Sequence, residues 1–318
     1  MQFTCKICGN NESNKFYDIR EMQFGTRDRF IYCECSSCGC LQLTNPPSDL
    51  SIYYPDKYFS FQLTKENYIK KKLNVYRDRY SFGIPSFIGK ILFSKYGSPT
   101  YINWLNELNV TLSSSILDVG SGVGKLLYRM GDSGFIKLIG IDAYIEKDII
   151  YANGVKIFKK SLFEINSKYD LIMMHHSLEH MDDQHKVFQK LATMLDVGKF
   201  LFIRIPVCSS FAWEHYKENW FALEAPRHFF NHSLKSLKYL AEHYGFAVKK
   251  IIYDSRSIQL YGSEQYKQNI PLMDERSYFV NPNNSIFTSG QMEEFENQTR
   301  KLNEAGRGDQ AGFFLIKI

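Results

Sequence analysis

The sequence predicts an α/β protein in which a doubly wound sheet follows a small cysteine-rich ribbon. Three observations carry that prediction. From Ser115 onward, short apolar strands alternate with amphipathic helices. The first of those strands runs directly into Gly120-Ser121-Gly122-Val123-Gly124 and then a helical pattern. Six of the seven cysteines (Cys5, Cys8, Cys33, Cys35, Cys38 and Cys40) lie in the first 40 residues, with Cys208 apart.

The ribbon comes first, over residues 1–48. Cys5-Lys6-Ile7-Cys8-Gly9 and Cys35-Ser36-Ser37-Cys38-Gly39 are two C-x2-C-G knuckles, 26 residues apart, with a strand expected near Tyr32 between them. Four thiolates brought together in this way suit a closed, structural zinc site with no open position for chemistry. Cys5, Cys8, Cys35 and Cys38 are the expected ligands, and Cys33 or Cys40 is an available substitute. Pro46 and Pro47 then mark an exit from regular structure.

Residues 49–100 read as a basic, aromatic cap and linker. Between Lys65 and Lys95 the chain holds eight Lys/Arg against Glu66 and Asp78. Ile69, Leu73, Tyr76 and Tyr80 recur at helical spacing, which predicts a helix over 66–80. Such a face either attracts an anionic substrate or membrane surface, or is simply solvated.

The remainder, 101–318, supplies seven expected strands: 116–119, 136–141, 155–158, 169–174, 200–205, 246–253 and 312–318. A helix over 183–195 places Val187, Phe188, Leu191 and Leu195 on one face. Ser233 is placed to cap another helix, and Gly245 to stop it. The stretch 254–310 breaks the alternation and reads as an insertion before the last strand.

Composition narrows the class. Of 318 residues, 44% are apolar and 23% charged, as in a folded globular chain, and a net charge of +5 makes no polycation. No apolar run reaches the roughly 18 residues a membrane span needs; Arg204 interrupts the best candidate, 200–213. The opening Met1-Gln2-Phe3-Thr4-Cys5 lacks the pattern of a secretory signal, so a cytoplasmic location is expected. Clustered cysteines there point to metal rather than disulfides.

The glycine turn is the strongest site signal. A dinucleotide fold asks for G-x-G-x-x-G, but Lys125 occupies the third glycine's place; here the glycine comes one residue early. Asp118 precedes the first glycine by two positions. A pyrophosphate disfavours that carboxylate, whereas a cation welcomes it. Asp118 with Gly120, Ser121, Gly122 and Gly124 therefore suggests a positively charged ligand such as S-adenosylmethionine (SAM). Asp142 ends the second strand 22 residues beyond Gly120, beside Ala143, where a carboxylate can accept from ribose hydroxyls. Ser161 and Leu162 follow the third strand, where an adenine ring can be held.

These residues resemble a known family. The run Ile116-Leu117-Asp118-Val119-Gly120-Ser121-Gly122-Val123-Gly124, then Gly140-Ile141-Asp142, then Tyr169 to His180 look like class I SAM-dependent methyltransferases. Cys35 to Gly39 running into Leu43-Thr44-Asn45-Pro46, with Glu224-Ala225-Pro226-Arg227-His228, is similar to a bacterial subgroup bearing an N-terminal zinc ribbon. The resemblance implies a doubly wound, seven-stranded Rossmann-like methyltransferase sheet with an antiparallel last strand. It also implies methylation of sugars for surface polysaccharides or secondary metabolites.

Four of the eight histidines (His175, His176, His180 and His185) follow the fourth strand within eleven residues. A neutral imidazole is a suitable base for an attacking hydroxyl. His180 and His228 are the preferred candidates, with His176 expected to line the cofactor pocket and Arg227 to bind an acidic acceptor group or form an ion pair. Trp213, Trp220 and their aromatic neighbours either stack on a sugar or pack a core. The acceptor expected is a small molecule, most plausibly a sugar or nucleotide-linked sugar.

Three other readings compete. The ribbon of an RNA methyltransferase would carry a basic footprint, yet residues 1–40 hold five Lys/Arg against five Asp/Glu. His176-Ser177-Leu178-Glu179-His180 matches the H-x-x-E-H of zinc hydrolases, which requires both histidines on one helical face. A binding scaffold with a degenerate enzyme fold is the third.

Overall fold

The computed structural model describes residues 2–54 and 67–318. The chain divides into two compact units. One comprises Met1–Pro55, His176–Gln189 and Ile203–Leu315, the other Asp56–His175, Lys190–Phe202 and Ile316–Ile318.

The second unit holds the core of the main sheet. Strands β4 (Ser115–Val119), β5 (Lys137–Ile141), β7 (Lys156–Phe158) and β8 (Tyr169–His175) are joined in parallel, β8 and β5 flanking β4 and β7 lying beyond β5. Their interior positions are almost continuously buried, as parallel strands covered on both faces require. Helix α4 (Lys125–Ser133) follows the glycine turn and buries Leu127 and Met130.

Strand β9 (Leu195–Pro206) continues into the first unit, which also holds β11 (Phe246–Tyr253) and β12 (Gln310–Lys317). The full order is β11-β12-β9-β8-β4-β5-β7-β6, so the chain's last strand is inserted between two earlier ones.

The sheet has eight strands where periodicity predicts seven. The additional one, β6 (Ile149–Ile150), is a two-residue antiparallel partner that covers the β7 edge. Two residues are too few to show alternation, and the hairpin is recognisable chiefly through Gly154 at φ +89°.

A separate four-stranded sheet lies within the first unit, in the order β1-β2-β3-β10. Strands β1 (Lys15–Arg20), β2 (Arg29–Glu34) and β3 (Leu41–Leu43) come from the cysteine-rich segment, whereas β10 (Phe230–Asn231) comes from far along the chain. All three pairings are antiparallel.

Its core explains the aromatic loop. Trp213, Trp220 and Tyr216 are buried with Ile19, Tyr32, Leu41 and Leu43, so the rings pack beneath the ribbon sheet and offer no open sugar platform. Trp220 Nε1 donates to the buried Asp309 at 2.9 Å, which anchors the end of the 254–310 stretch.

The stretch 254–310 is more ordered than its broken pattern implies. It holds α8 (Ile258–Lys267) and α9 (Ser289–Glu304), the latter opened by a Thr288–Gln291 capping box. The expected helix over 66–80 is α1 (Tyr68–Ser81), capped by the Asn67 side chain; Glu66 lies outside the described residues. Ser233 opens α7 (Leu234–His243) with a capping box, as expected.

Candidate functional site

In the second unit, β4 delivers Asp118 to the head of the sheet, where the backbone turns through Gly120, Gly122 and Gly124 at φ +75°, +54° and +74°. A side chain at Gly124 is disfavoured by its φ of +74° and would also have to displace Ile157, whose Cδ1 lies 2.3 Å from where a Cβ would stand. The turn's amides are largely committed. Gly120 and Ser121 donate to the Ile141 carbonyl at 2.8 and 3.1 Å, and Gly124 donates to Ser121. Gly122 donates to Asp142 Oδ2 at 2.9 Å. A turn whose donors are spent internally is a poor cradle for phosphate.

Asp142 accepts a second backbone bond, from Tyr144 at 2.8 Å. It therefore fixes the turn, and each oxygen retains a lone pair for a hydroxyl. Ala143 is exposed beside it. Ser161 caps a short 3-10 turn over Leu162–Glu164 with Leu162 buried, one strand away from Asp142.

Asp118 is the unusual group. It is buried, and its Oδ1 has no hydrogen-bond partner among the described residues. Burial, and then the nearby Asp142, push its carboxyl up to about 8. A buried acid with an unpartnered oxygen beside a second acid favours a positively charged neighbour. The sulfonium and ammonium of SAM fit that donor set; a pyrophosphate does not.

In the first unit, Glu179, His180 and His228 converge, their ligand atoms within 4.8 Å of one another. His180 Nδ1 lies 2.8 Å from the Arg227 carbonyl and His228 Nδ1 3.0 Å from the Ala222 carbonyl. A carbonyl can only accept, so both Nδ1 atoms carry the proton and both Nε2 atoms hold a lone pair. Burial lowers both imidazoles, His228 to about 4, which leaves them neutral at pH 7.

Glu179 is fully buried, and neither carboxylate oxygen has a hydrogen-bond partner among the described residues. Burial works against its ionisation, but the facing His176 leads the interactions that more than offset it and lower the carboxyl to about 2. His176 Nε2 accepts from Arg204 at 2.8 Å, which turns its protonated Nδ1 toward Glu179 at 3.4 Å.

Two expectations change here. His176 sits at φ +51° ahead of a 3-10 turn over Leu178–His180, so the H-x-x-E-H histidines do not share a helical face. The group able to hold a cation is Glu179, His180 and His228, without His176. Arg227 is wholly buried, bonded to Gln23 Oε1 at 2.7 Å and the Tyr53 carbonyl at 3.2 Å, with Glu21 at 3.4 Å. It is an internal clamp with no face for an acceptor. The central part of Glu179 follows from burial, which local patterning does not reveal.

The four knuckle cysteines also meet in the first unit. Cys5 and Cys38 sulfurs lie 3.6 Å apart, as do those of Cys8 and Cys35. A tetrahedron with Zn–S bonds of about 2.3 Å has edges of roughly 3.8 Å, so the set has the size of a zinc site. Ile7 and Cys38 amides point at Cys5 and Cys35 sulfurs at 3.4 Å. Cys33 and Cys40 are buried outside this group, Cys40 Sγ facing the Leu41 and Asn231 carbonyls.

Residues 95–251 match the family model described as a methyltransferase domain. Two proteins named EEF1A lysine methyltransferase 2 are similar over short stretches. The one from Danio rerio is 32% identical over 23% of this chain and 29% of its own length. The one from Homo sapiens is 30% identical over 26% and 34%, so the chain spans about a third of the relatives it matches. Among solved structures, magnesium protoporphyrin IX methyltransferase from Synechocystis, with bound SAH, aligns with a TM-score of 0.45. It is 12% identical, over 85% of this chain and all of that one. By the family match, residues 95–251, which carry the acid-flanked glycine turn, are a methyltransferase domain.

Proposed function

We propose that this chain transfers a methyl group from SAM to a hydroxyl of a small-molecule acceptor, a sugar or nucleotide-linked sugar. The observation that carries the reading is Asp118: a buried carboxylate with an oxygen unpartnered among the described residues, beside a turn that has few amides left for an anion. Bound SAM would supply an electrophilic methyl on a sulfonium. Asp118 would face its positive charge, Gly120, Ser121, Gly122 and Gly124 would let the backbone approach, and Asp142 would accept from the ribose with Ala143 beside it. Ser161 and Leu162 would complete the pocket within this unit.

The protein's remaining tasks are to align the acceptor and remove its proton. His180 and His228 are suited to the second: neutral, with Nδ1 held by a carbonyl and Nε2 left to accept, and both near Glu179. The carboxylate would stabilise whichever imidazolium forms. Zinc on Cys5, Cys8, Cys35 and Cys38 would be structural, in a reducing cytoplasm that keeps the thiols free. The proposed layout is a ribbon over 1–48, a basic cap over 49–100 and the SAM-binding region over 101–318. Polysaccharide assembly is a process that consumes such products.

A lysine side chain is the competing acceptor, favoured by the names of the two relatives. It needs the same neutral base. Incubation with SAM and parallel panels of nucleotide sugars and lysine-containing protein, with SAH formation as readout, separates them. His228→Gln should cut turnover by roughly 10²–10⁴-fold with SAM affinity unchanged. Turnover on lysine alone overturns the sugar assignment, and full activity in both His228→Gln and His180→Gln overturns the base.

A further inference from the structure

Helices α1 and α2 (Phe87–Tyr96) are locked together at one face and bare on another. The locked face is set by Gly89, which is buried; a Cβ there would meet the Tyr76 carbonyl at 2.4 Å, so no larger residue fits without separating the helices. Tyr80 and Phe93 pack edge-on beside it at 5.5 Å. Away from this seam stand Ile69 (68% exposed), Leu73, Phe87 (80%), Ile88 and Ile91 (53%). Aliphatic and aromatic groups at such exposure are ordinary singly, but here they cluster on two adjoining helices.

Charge accompanies them. Lys70, Lys72, Arg79, Lys90 and Lys95 are exposed on the same two helices, and Phe87, Lys90, Ile91, Ser94 and Lys95 line one shallow depression. The only carboxylate between residues 67 and 96 is Asp78. It is wholly buried, bonded to Arg129 at 2.8 Å and to the Tyr101 hydroxyl at 2.9 Å. Asp132 of α4 pairs with Lys71 at 2.7 Å beside α1, whereas no carboxylate lines the depression on α2.

We propose that the exposed α1–α2 surface docks on an anionic lipid bilayer, with Phe87, Ile88 and Ile91 entering the headgroup–acyl boundary and Lys90 and Lys95 contacting lipid phosphates. Three occupants compete for such a surface, and the residue chemistry selects among them. A two-fold contact between copies sets like surfaces against each other and confronts lysines with lysines. A nucleic acid would satisfy the lysines but gives Ile69, Leu73, Ile88 and Ile91 nothing apolar to enter, since aliphatic side chains do not stack as aromatic ones do. Only an anionic bilayer offers a negative surface and hydrocarbon beneath it. No helix among the described residues is long and apolar enough to cross a membrane, so the mode is peripheral.

The test is co-sedimentation of the full chain with vesicles of phosphatidylcholine alone or mixed with phosphatidylglycerol, at low and high salt. Binding should require the anionic lipid and weaken with salt, each cation contributing roughly fivefold. Lys90→Gln with Lys95→Gln should lower binding by at least tenfold, and Phe87→Ser with Ile91→Ser similarly. All four positions are exposed, so the melting temperature should hold, and it serves as the control for folding. Absence of binding to either vesicle overturns the proposal. So does a dimer in light scattering that Phe87→Ser with Ile91→Ser dissociates. Tight poly-uridylate binding that depends on the lysines but not on Phe87 or Ile91 overturns it too, in favour of a nucleic acid.

Discussion

Replacing Asp118 by asparagine should stabilise the unliganded protein while weakening its grip on SAM. The carboxyl is held at about 8, against 3.8 for an unburied aspartate, because burial and Asp142 both oppose its charge. Between those values the folded chain retains a proton that the unfolded chain has released. Stability therefore falls as pH rises from about 4 to about 8, by close to tenfold in the folding equilibrium per pH unit, and levels off above. Asparagine has nearly the same shape and no charge to bury. Asp118→Asn should accordingly melt higher than the native chain at pH 8, with the gap closing toward pH 5.

Cation binding should reverse the balance. At pH 7 a group titrating near 8 is about nine-tenths protonated, so a ligand that needs the carboxylate must expel about 0.9 proton. Calorimetry in two buffers of different ionisation enthalpy counts that proton directly. Apparent affinity should rise about tenfold per pH unit up to 8 and then flatten. In Asp118→Asn the proton should vanish and affinity at pH 8 should drop roughly 10- to 100-fold, the worth of a charge-assisted contact. The ligand's own amine titrates equally in both proteins, so the difference isolates Asp118. Buffer-independent heats with a flat affinity profile in the native chain would refute the burial argument. A lower melting temperature for Asp118→Asn at pH 8 would refute its stability half.

Two further outcomes follow from the packing. Trp220→Ala should cost about 3–5 kcal/mol in denaturant unfolding, since it empties a fully buried indole site. Trp220→Phe should cost less but still destabilise, because Asp309 loses the indole donor that lies at 2.9 Å. Were Trp220 a sugar platform, both variants would instead spare stability and raise the acceptor KM. Metal analysis of the purified chain should give one zinc per chain, and Cys8→Ser should abolish it.

The geometry of the glycine turn was legible because its signal is local. Asp118, the glycines and Asp142 are read from spacing along two strands, and β4 and β5 hold them as that spacing implies. The cysteine set was legible for the same reason. What escaped sequence reading depends on long-range burial. The aromatic run 211–221 carries the same residues whether it overhangs a site or fills a core, and only the ribbon sheet lying over it decides. Arg227 looked available because its partners, Glu21, Gln23 and Tyr53, lie more than 170 residues away. The helices α8 and α9 were obscured by polar stretches between them, where composition alone suggests irregular chain.

The ribbon sheet pairs with β10, two residues beyond His228, so a zinc bound to the knuckles would act indirectly on the proposed base. Gln42 joins the two: its Nε2 donates to Cys5 Sγ at 2.9 Å, its Oε1 accepts from the Lys6 amide at 2.9 Å, and its backbone lies opposite Phe230 in the β3–β10 ladder. From that ladder Leu43 donates to the Phe229 carbonyl, Phe229 donates to the Glu179 carbonyl, and the Tyr32 hydroxyl donates to the His228 carbonyl at 2.7 Å. Removing a bound zinc would release four thiolates, free Gln42 and loosen the register that holds residues 228–231. Chelation should then speed hydrogen exchange at the Leu43 and Phe229 amides by at least tenfold, with the Gly120 and Ser121 amides as the unaffected reference. Turnover should fall in step with exchange at Phe229, although zinc takes no part in the chemistry. If the knuckle amides of Ile7 and Cys38 accelerate while Phe229 stays protected, the ribbon is an independent module and the ladder transmits nothing.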